Sequence, residues 1–176
     1  MGSGKRLTGG AVLVTAAFVV LAFAPTAGAT ALAPAGKVTF AFPSANSTIV
    51  GSVGFINSCE AGYFWSASRG DSVTQSASGP KAIKHAILDV QVVTNVLSGG
   101  AQVDWNLLIN NKVVDSFVVQ EGFTGPIHRD VKFKKIKGKS FTVKLVVTNE
   151  VPSGGGSITL AYADCGGVHS ITLKKS

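Results

Sequence analysis

Asp104, Asn106, Asp115 and Phe117 bring two carboxylates, an amide and an aromatic ring into one short stretch of the chain. Such groups suit a hydroxyl-rich ligand: carboxylate and amide oxygens accept hydrogen bonds, and a ring face covers apolar C–H surface. His85, Asp89 and Gln91 extend this polar set if their strand joins the same sheet. The competing reading of all seven is an ordinary solvated face, which antiparallel sheets commonly carry.

A second group is basic. Arg129, Lys132, Lys134, Lys135, Lys137, Lys139 and Lys144 follow one another closely, opposed only by Asp130. Lysines along a strand guard a sheet edge against pairing with other chains. Lys132, Lys134, Lys135, Lys137 and Lys139 also suit an anionic partner, such as a cell-wall polymer or lipid head groups. No nucleic-acid motif accompanies them, so nucleic acid is not an expected partner.

The constellations that catalysis requires are missing. His85, His128 and His169 coexist with many serines, yet the chain has no Gly-x-Ser-x-Gly elbow. Glycoside hydrolysis needs two placed carboxylates, and Glu60, Glu121 and Glu150 all fall in expected loops. Cys59 and Cys165 cannot build a zinc site by themselves, and no histidine spacing completes one. Asp71 and Asp164 mark where a structural calcium would sit, without the ligand spacing of a calcium loop. No catalytic residue, metal ligand or cofactor is therefore expected.

The elements that must position these residues are strands. Alternating or β-branched runs recur between turn signals, and helix-period patterns are almost absent. Strands are expected near Lys37–Phe42, Ile49–Phe55, Tyr63–Ala67, His85–Val96, Gln102–Ile109, Lys112–Val119, Val131–Ile136, Phe141–Asn149, Ser157–Ala163 and Ser170–Lys174. Breakers separate them, among them Gly70-Asp71, Gly79-Pro80 and Gly125-Pro126. So many short strands predict two packed antiparallel sheets: a jelly-roll β-sandwich, with an immunoglobulin-like sandwich as the runner-up.

One hairpin can be set out residue by residue. Asn110-Asn111 fits a two-residue type I′ turn, because asparagine tolerates positive φ. Ile109 then faces Lys112, Leu107 faces Val114, Trp105 faces Ser116 and Val103 faces Val118, forming the core side. The other side pairs Leu108 with Val113, Asn106 with Asp115 and Asp104 with Phe117. Phe141, Val143, Leu145 and Val147 make a further apolar row, as do Leu88, Val90 and Val92, which leave His85, Asp89 and Gln91 outward. In the cluster Tyr63-Phe64-Trp65, Tyr63 and Trp65 share an inward face and Phe64 points out.

Residues 1–33 read as a secretory leader. Lys5 and Arg6 precede an uncharged run from Ala11 to Ala24 that is too short to span a bilayer. Ala27-Gly28-Ala29 and Ala31-Leu32-Ala33 offer cleavage after Ala29 or Ala33. Residues 34–176 then form a single domain, expected outside the cell or at its surface, with no later segment apolar enough to cross a membrane. The whole chain carries a formal charge of +7, and losing Lys5 and Arg6 leaves +5. With 45% hydrophobic and 14% charged residues, a disordered chain is excluded. Export favours a Cys59–Cys165 disulfide over two buried thiols, stabilising the fold by roughly 4–5 kcal/mol if unstrained.

The stretch Asp104-Trp105-Asn106-Leu107-Leu108-Ile109-Asn110-Asn111-Lys112-Val113-Val114 resembles the strand–turn–strand of secreted jelly-roll modules of the carbohydrate-binding type. The segment Phe141 to Tyr162, with Thr148-Asn149 and Gly154-Gly155-Gly156-Ser157, is similar to their closing strands. The resemblance implies a β-sandwich and a non-catalytic glycan partner, and assigns no binding residue. The expected function is thus a secreted binding module for glycan or another envelope polymer. A surface interaction protein using the basic edge is the second reading, and a small secreted hydrolase the third.

Overall fold

Strand-forming runs condense into eleven strands in the computed structural model, which describes residues 36–44, 46–51, 69–152, 155–161 and 169–175, and residues 63–65 as backbone. They are β1 (Lys37–Ala41), β2 (Thr48–Val50), β3 (Tyr63–Trp65), β4 (Ser72–Ser78), β5 (Ala82–Asn95), β6 (Gln102–Ile109), β7 (Lys112–Gln120), β8 (Gly125–Lys137), β9 (Ser140–Val147), β10 (Ile158–Leu160) and β11 (Ser170–Lys174). No helix occurs among the described residues, and so no helix there is long and apolar enough to cross a membrane. The leader expected over residues 1–33, both cysteines and Asp164 lie outside the described residues.

All pairings are antiparallel and fall into two sheets. The first has the order β1-β11-β5-β10-β3, with β8 also paired to β5; the second runs β2-β4-β9-β6-β7. The long strand β5 carries β11 and then β10 along one edge and β8 along the other: Val92 pairs with both Leu160 and Gly125. Strands β7 and β8 are therefore each an edge strand of a different sheet among the described residues.

Alternation supplies the core. From the second sheet Val103, Trp105, Leu107, Ile109, Phe141, Val143, Leu145 and Val147 point inward, and from the first Leu88, Val90, Val92, Ile171 and Leu173 meet them. The rows of β5, β6 and β9 are those that parity predicts. This two-sheet arrangement is a jelly-roll β-sandwich.

Strand β4 departs from expectation. Ser72–Ser78 has no apolar alternation, yet it pairs along its whole length with β9. Its inward positions are Val73, Gln75 and Ala77, opposite Leu145, Val143 and Phe141. The amide oxygen of Gln75 accepts from the hydroxyls of Ser44 (3.0 Å) and Ser47 (2.8 Å). A polar side chain satisfied by partners from a distant segment can occupy an inner position at little cost. Strand β8 likewise begins at Gly125 rather than Val131, because Pro126 needs no ladder donor on an edge strand.

His169 is 4% exposed, and its Nδ1 has no hydrogen-bond partner among the described residues. Burial pushes its pKa below the ordinary 6.5. A folded-state value below the unfolded one means that the unfolded chain takes up the proton first as pH falls. Stability is then full above about pH 6.5 and declines below it. Urea unfolding at pH 7.5 and pH 5.5 should show this loss, and His169→Leu should flatten it, by at most about 1.4 kcal/mol per pH unit.

Candidate functional site

The hairpin turn forms as its sequence dictates, with Asn110 at φ 49° and Asn111 at φ 62°. Ile109 pairs with Lys112 and Leu108 with Val113. A β-bulge then intervenes: Val114 has no opposite number, and Leu107 faces Asp115, Asn106 faces Ser116, Trp105 faces Phe117 and Asp104 faces Val118. The expected pairings beyond the first two are thus displaced by one residue. An extra residue on one strand reverses the facing of everything after it. Val118, expected in the core, is 48% exposed, and Val119 is 2% exposed.

The bulge separates the four residues expected to share a face. Asp104 and Asn106 stay outward, where Asp104 accepts from Gln102 Nε2 (2.9 Å) and Asn106 Oδ1 accepts from Ser116 Oγ (2.7 Å). Asp115 and Phe117 turn to the inner side. His85, Asp89 and Gln91 do point outward, but from the first sheet, so they do not extend the Asp104–Asn106 surface. The broken alternation of Val113-Val114 and Phe117-Val118-Val119 was the available sign of a bulge.

Inward-turned Asp115 meets β8 across the open edge of the sandwich. Arg129 donates to it through Nε (2.6 Å) and Nη2 (3.0 Å), a two-bonded fork. That hydrogen bonding raises the Arg129 pKa still further above its ordinary value. The guanidinium lies 5.5 Å from the centre of the Phe117 ring, within cation–π range. One side chain thus ties the two edge strands together at mid-length.

Beside this tie opens a cleft of about 610 Å³, lined by Phe117, Phe123, Glu121, Ile127, His128 and Arg129 among others. Its far wall is the loop between β7 and β8. Asn95 holds that loop, its Nδ2 donating to the carbonyls of Gln120 (2.8 Å) and Phe123 (2.9 Å). Glu121 Oε2 accepts from the Gly100 backbone (2.6 Å). These contacts leave the Phe123 ring 40% exposed at the mouth. On the rim, His128 Nδ1 is hydrogen-bonded to Asp89 Oδ1 (2.6 Å).

Of the seven residues expected around a ligand, Phe117 lines this cleft, Asp115 fixes Arg129 and Asp89 fixes His128. Asp104 and Asn106 lie on another face, Gln91 is exposed opposite Pro126, and His85 contacts Asp130, whose pKa it lowers by that hydrogen bond. Glu121, Phe123, His128 and Arg129 were not singled out as ligand-binding by sequence, since only the crossing of two sheets assembles them. The basic residues Lys132, Lys134, Lys135 and Lys137 are exposed on β8, and Lys139 follows in the turn. No three His, Cys, Asp or Glu side chains converge as a metal group among the described residues. The side chains of Tyr63, Phe64 and Trp65 lie outside the described set.

Fold and cleft define an all-β class: a jelly-roll sandwich whose open edge is a groove with aromatic and polar walls. No protein-family model matches the chain, and no curated protein does. Among solved structures, the chain is similar to the CBM36-1 domain of a multidomain xylanase from the hindgut metagenome of Trinervitermes trinervoides. That match has a TM-score of 0.53 at 15% identity and covers 80% of this chain and 98% of that one. A carbohydrate-binding module CBM36 in complex with calcium and xylotriose matches at a TM-score of 0.47 and 17% identity, over 78% and 99% of the two chains. A family 35 carbohydrate-binding module from an environmental isolate matches at 0.46 and 12%, over 76% and 95%. At these identities the likeness is one of fold.

Proposed function

We propose that this protein is a non-catalytic module that binds a glycan in the cleft between β7 and β8. The observation that carries the reading is the lining: Phe117 and Phe123 beside Glu121 and Arg129, with His128 at the rim, in an open groove of about 610 Å³. Ring faces cover the apolar faces of sugars, and the polar groups take their hydroxyls. The fold shared with the CBM36-1 domain of a xylanase supports this class of ligand. Asp115, Asp89 and Asn95 act here as positioning residues. Against a hydrolytic role, His128 bonds only to Asp89 among the described residues, with no hydroxyl nucleophile held to its ring.

Isothermal titration against xylan-, cellulose- and mannan-derived oligosaccharides tests the reading. Phe123→Ala should weaken binding more than about tenfold, as expected for an aromatic anchor, while leaving the melting temperature almost unchanged. If no oligosaccharide binds at millimolar concentration, or Phe123→Ala binds as the parent does, the cleft is not a glycan site.

A further inference from the structure

Three lysines stand at one level with a mostly buried histidine across four neighbouring strands on the outer face of the first sheet. Lys37 of β1 lies opposite Lys174 of β11, Lys174 opposite His85 of β5, and His85 opposite Lys132 of β8. Directly opposite residues share a face, and the next level, with Leu173 and Ala86 fully buried, points to the core. At the spacing of strands, the two ends of the row stand about 14 Å apart. Lys84 and Lys175, next in sequence to His85 and Lys174, line a hollow of about 310 Å³ together with Lys135 of β8.

Edge protection explains the lysines of β8, but not Lys84 and Lys174, because β5 and β11 are interior strands of their sheet. Like charges directly opposite one another, as Lys37 and Lys174 are, weaken a sheet. No carboxylate lies within ion-pair distance of any of these lysines among the described residues. Asp130, the acid that feels Lys174, is already bonded to His85. A row of cations built at a cost to the sheet is matched by a ligand that brings the anions.

We propose that this face is a second binding surface, separate from the cleft, for a linear acidic polysaccharide laid across the strands with its carboxylates on Lys37, Lys174 and Lys132. Lysine offers single point charges, here one each on β1, β11 and β8, which suit sparse carboxylates; the forked arginine favoured for phosphate is absent from the row. The adjoining level presents the hydroxyls of Thr39 and Thr172, bonded to each other at 2.8 Å and able to exchange with sugar hydroxyls. No aromatic ring stands in the row for bases to stack on, as single-stranded nucleic acids require. Asp130 and Asp89 lie on the same face, at the first and second outward-facing levels beyond the row, where they oppose a uniformly anionic bilayer but not a single chain confined to the row.

Affinity electrophoresis of the full chain in polygalacturonate, with the carboxyl-reduced neutral polymer as control, tests the proposal. Retardation by polygalacturonate should fall at least about tenfold between 50 and 500 mM NaCl as screening shortens. Lys37→Ser/Lys174→Ser should lose most of it, Lys174→Arg should keep it, and the reduced polymer should be held weakly and equally by all. Phe123→Ala should retain it, so failure of the cleft reading leaves this surface standing. Unchanged retardation of the double variant, equal retention of the reduced polymer, or tighter row-dependent binding of polyphosphate or phosphatidylglycerol vesicles overturns the proposal.

Discussion

Trp105→Ala is expected to destabilise the fold by about 3–5 kcal/mol, the range for emptying a large buried aromatic site. Trp105 is the largest fully buried side chain among the described residues, standing on the inner face of β6 between Phe117 of β7 and Val147 of β9. Both neighbours are held by ladder hydrogen bonds, so the space closes only partly, and the loss includes packing as well as transfer. A thermal midpoint lowered by roughly 10 °C or more is the result expected from calorimetry. A shift of less than about 3 °C would mean that β6 does not present this face to the core.

Asp115→Ala is expected to act on both stability and binding. The carboxylate is mostly buried and receives two charge-assisted hydrogen bonds from Arg129. Removing it leaves a half-buried guanidinium without its acceptor, at a cost of about 2 kcal/mol once solvent access to Arg129 is allowed for. Arg129 also loses the fork that holds it over Phe117, so the cleft wall loosens and glycan affinity should fall roughly tenfold. Arg129→Ala should match the stability loss, and the double variant should cost much less than the sum of the two. Additive losses would show that the pair does not tie the edge strands.

Much of the architecture was legible from alternation. Phe141, Val143, Leu145 and Val147 repeat with a period of two, and only one face of a strand can bury such a row. The Asn110-Asn111 turn was equally plain, since few residues accept two successive positive φ values. Strand β4 was not legible, because Gln75 at an inner position reads as exposed until Ser44 and Ser47 arrive from elsewhere in the chain. The bulge at Val114 was not legible either. A hairpin's register follows from its turn only while the count of residues on both sides stays equal.

Sequence alone determined the all-β class, the inward rows of β5, β6 and β9 and the turn, because each depends on the local preference of a residue and its near neighbours. The tertiary structure decided which polar groups meet. One extra residue in β7 turned Asp115 and Phe117 inward, and the facing of two separate sheets then set Arg129 and His128 beside them. A cleft between edge strands of different sheets has no period in the sequence. Its residues come together only when two sheets, each formed by its own pairing, close over a common core.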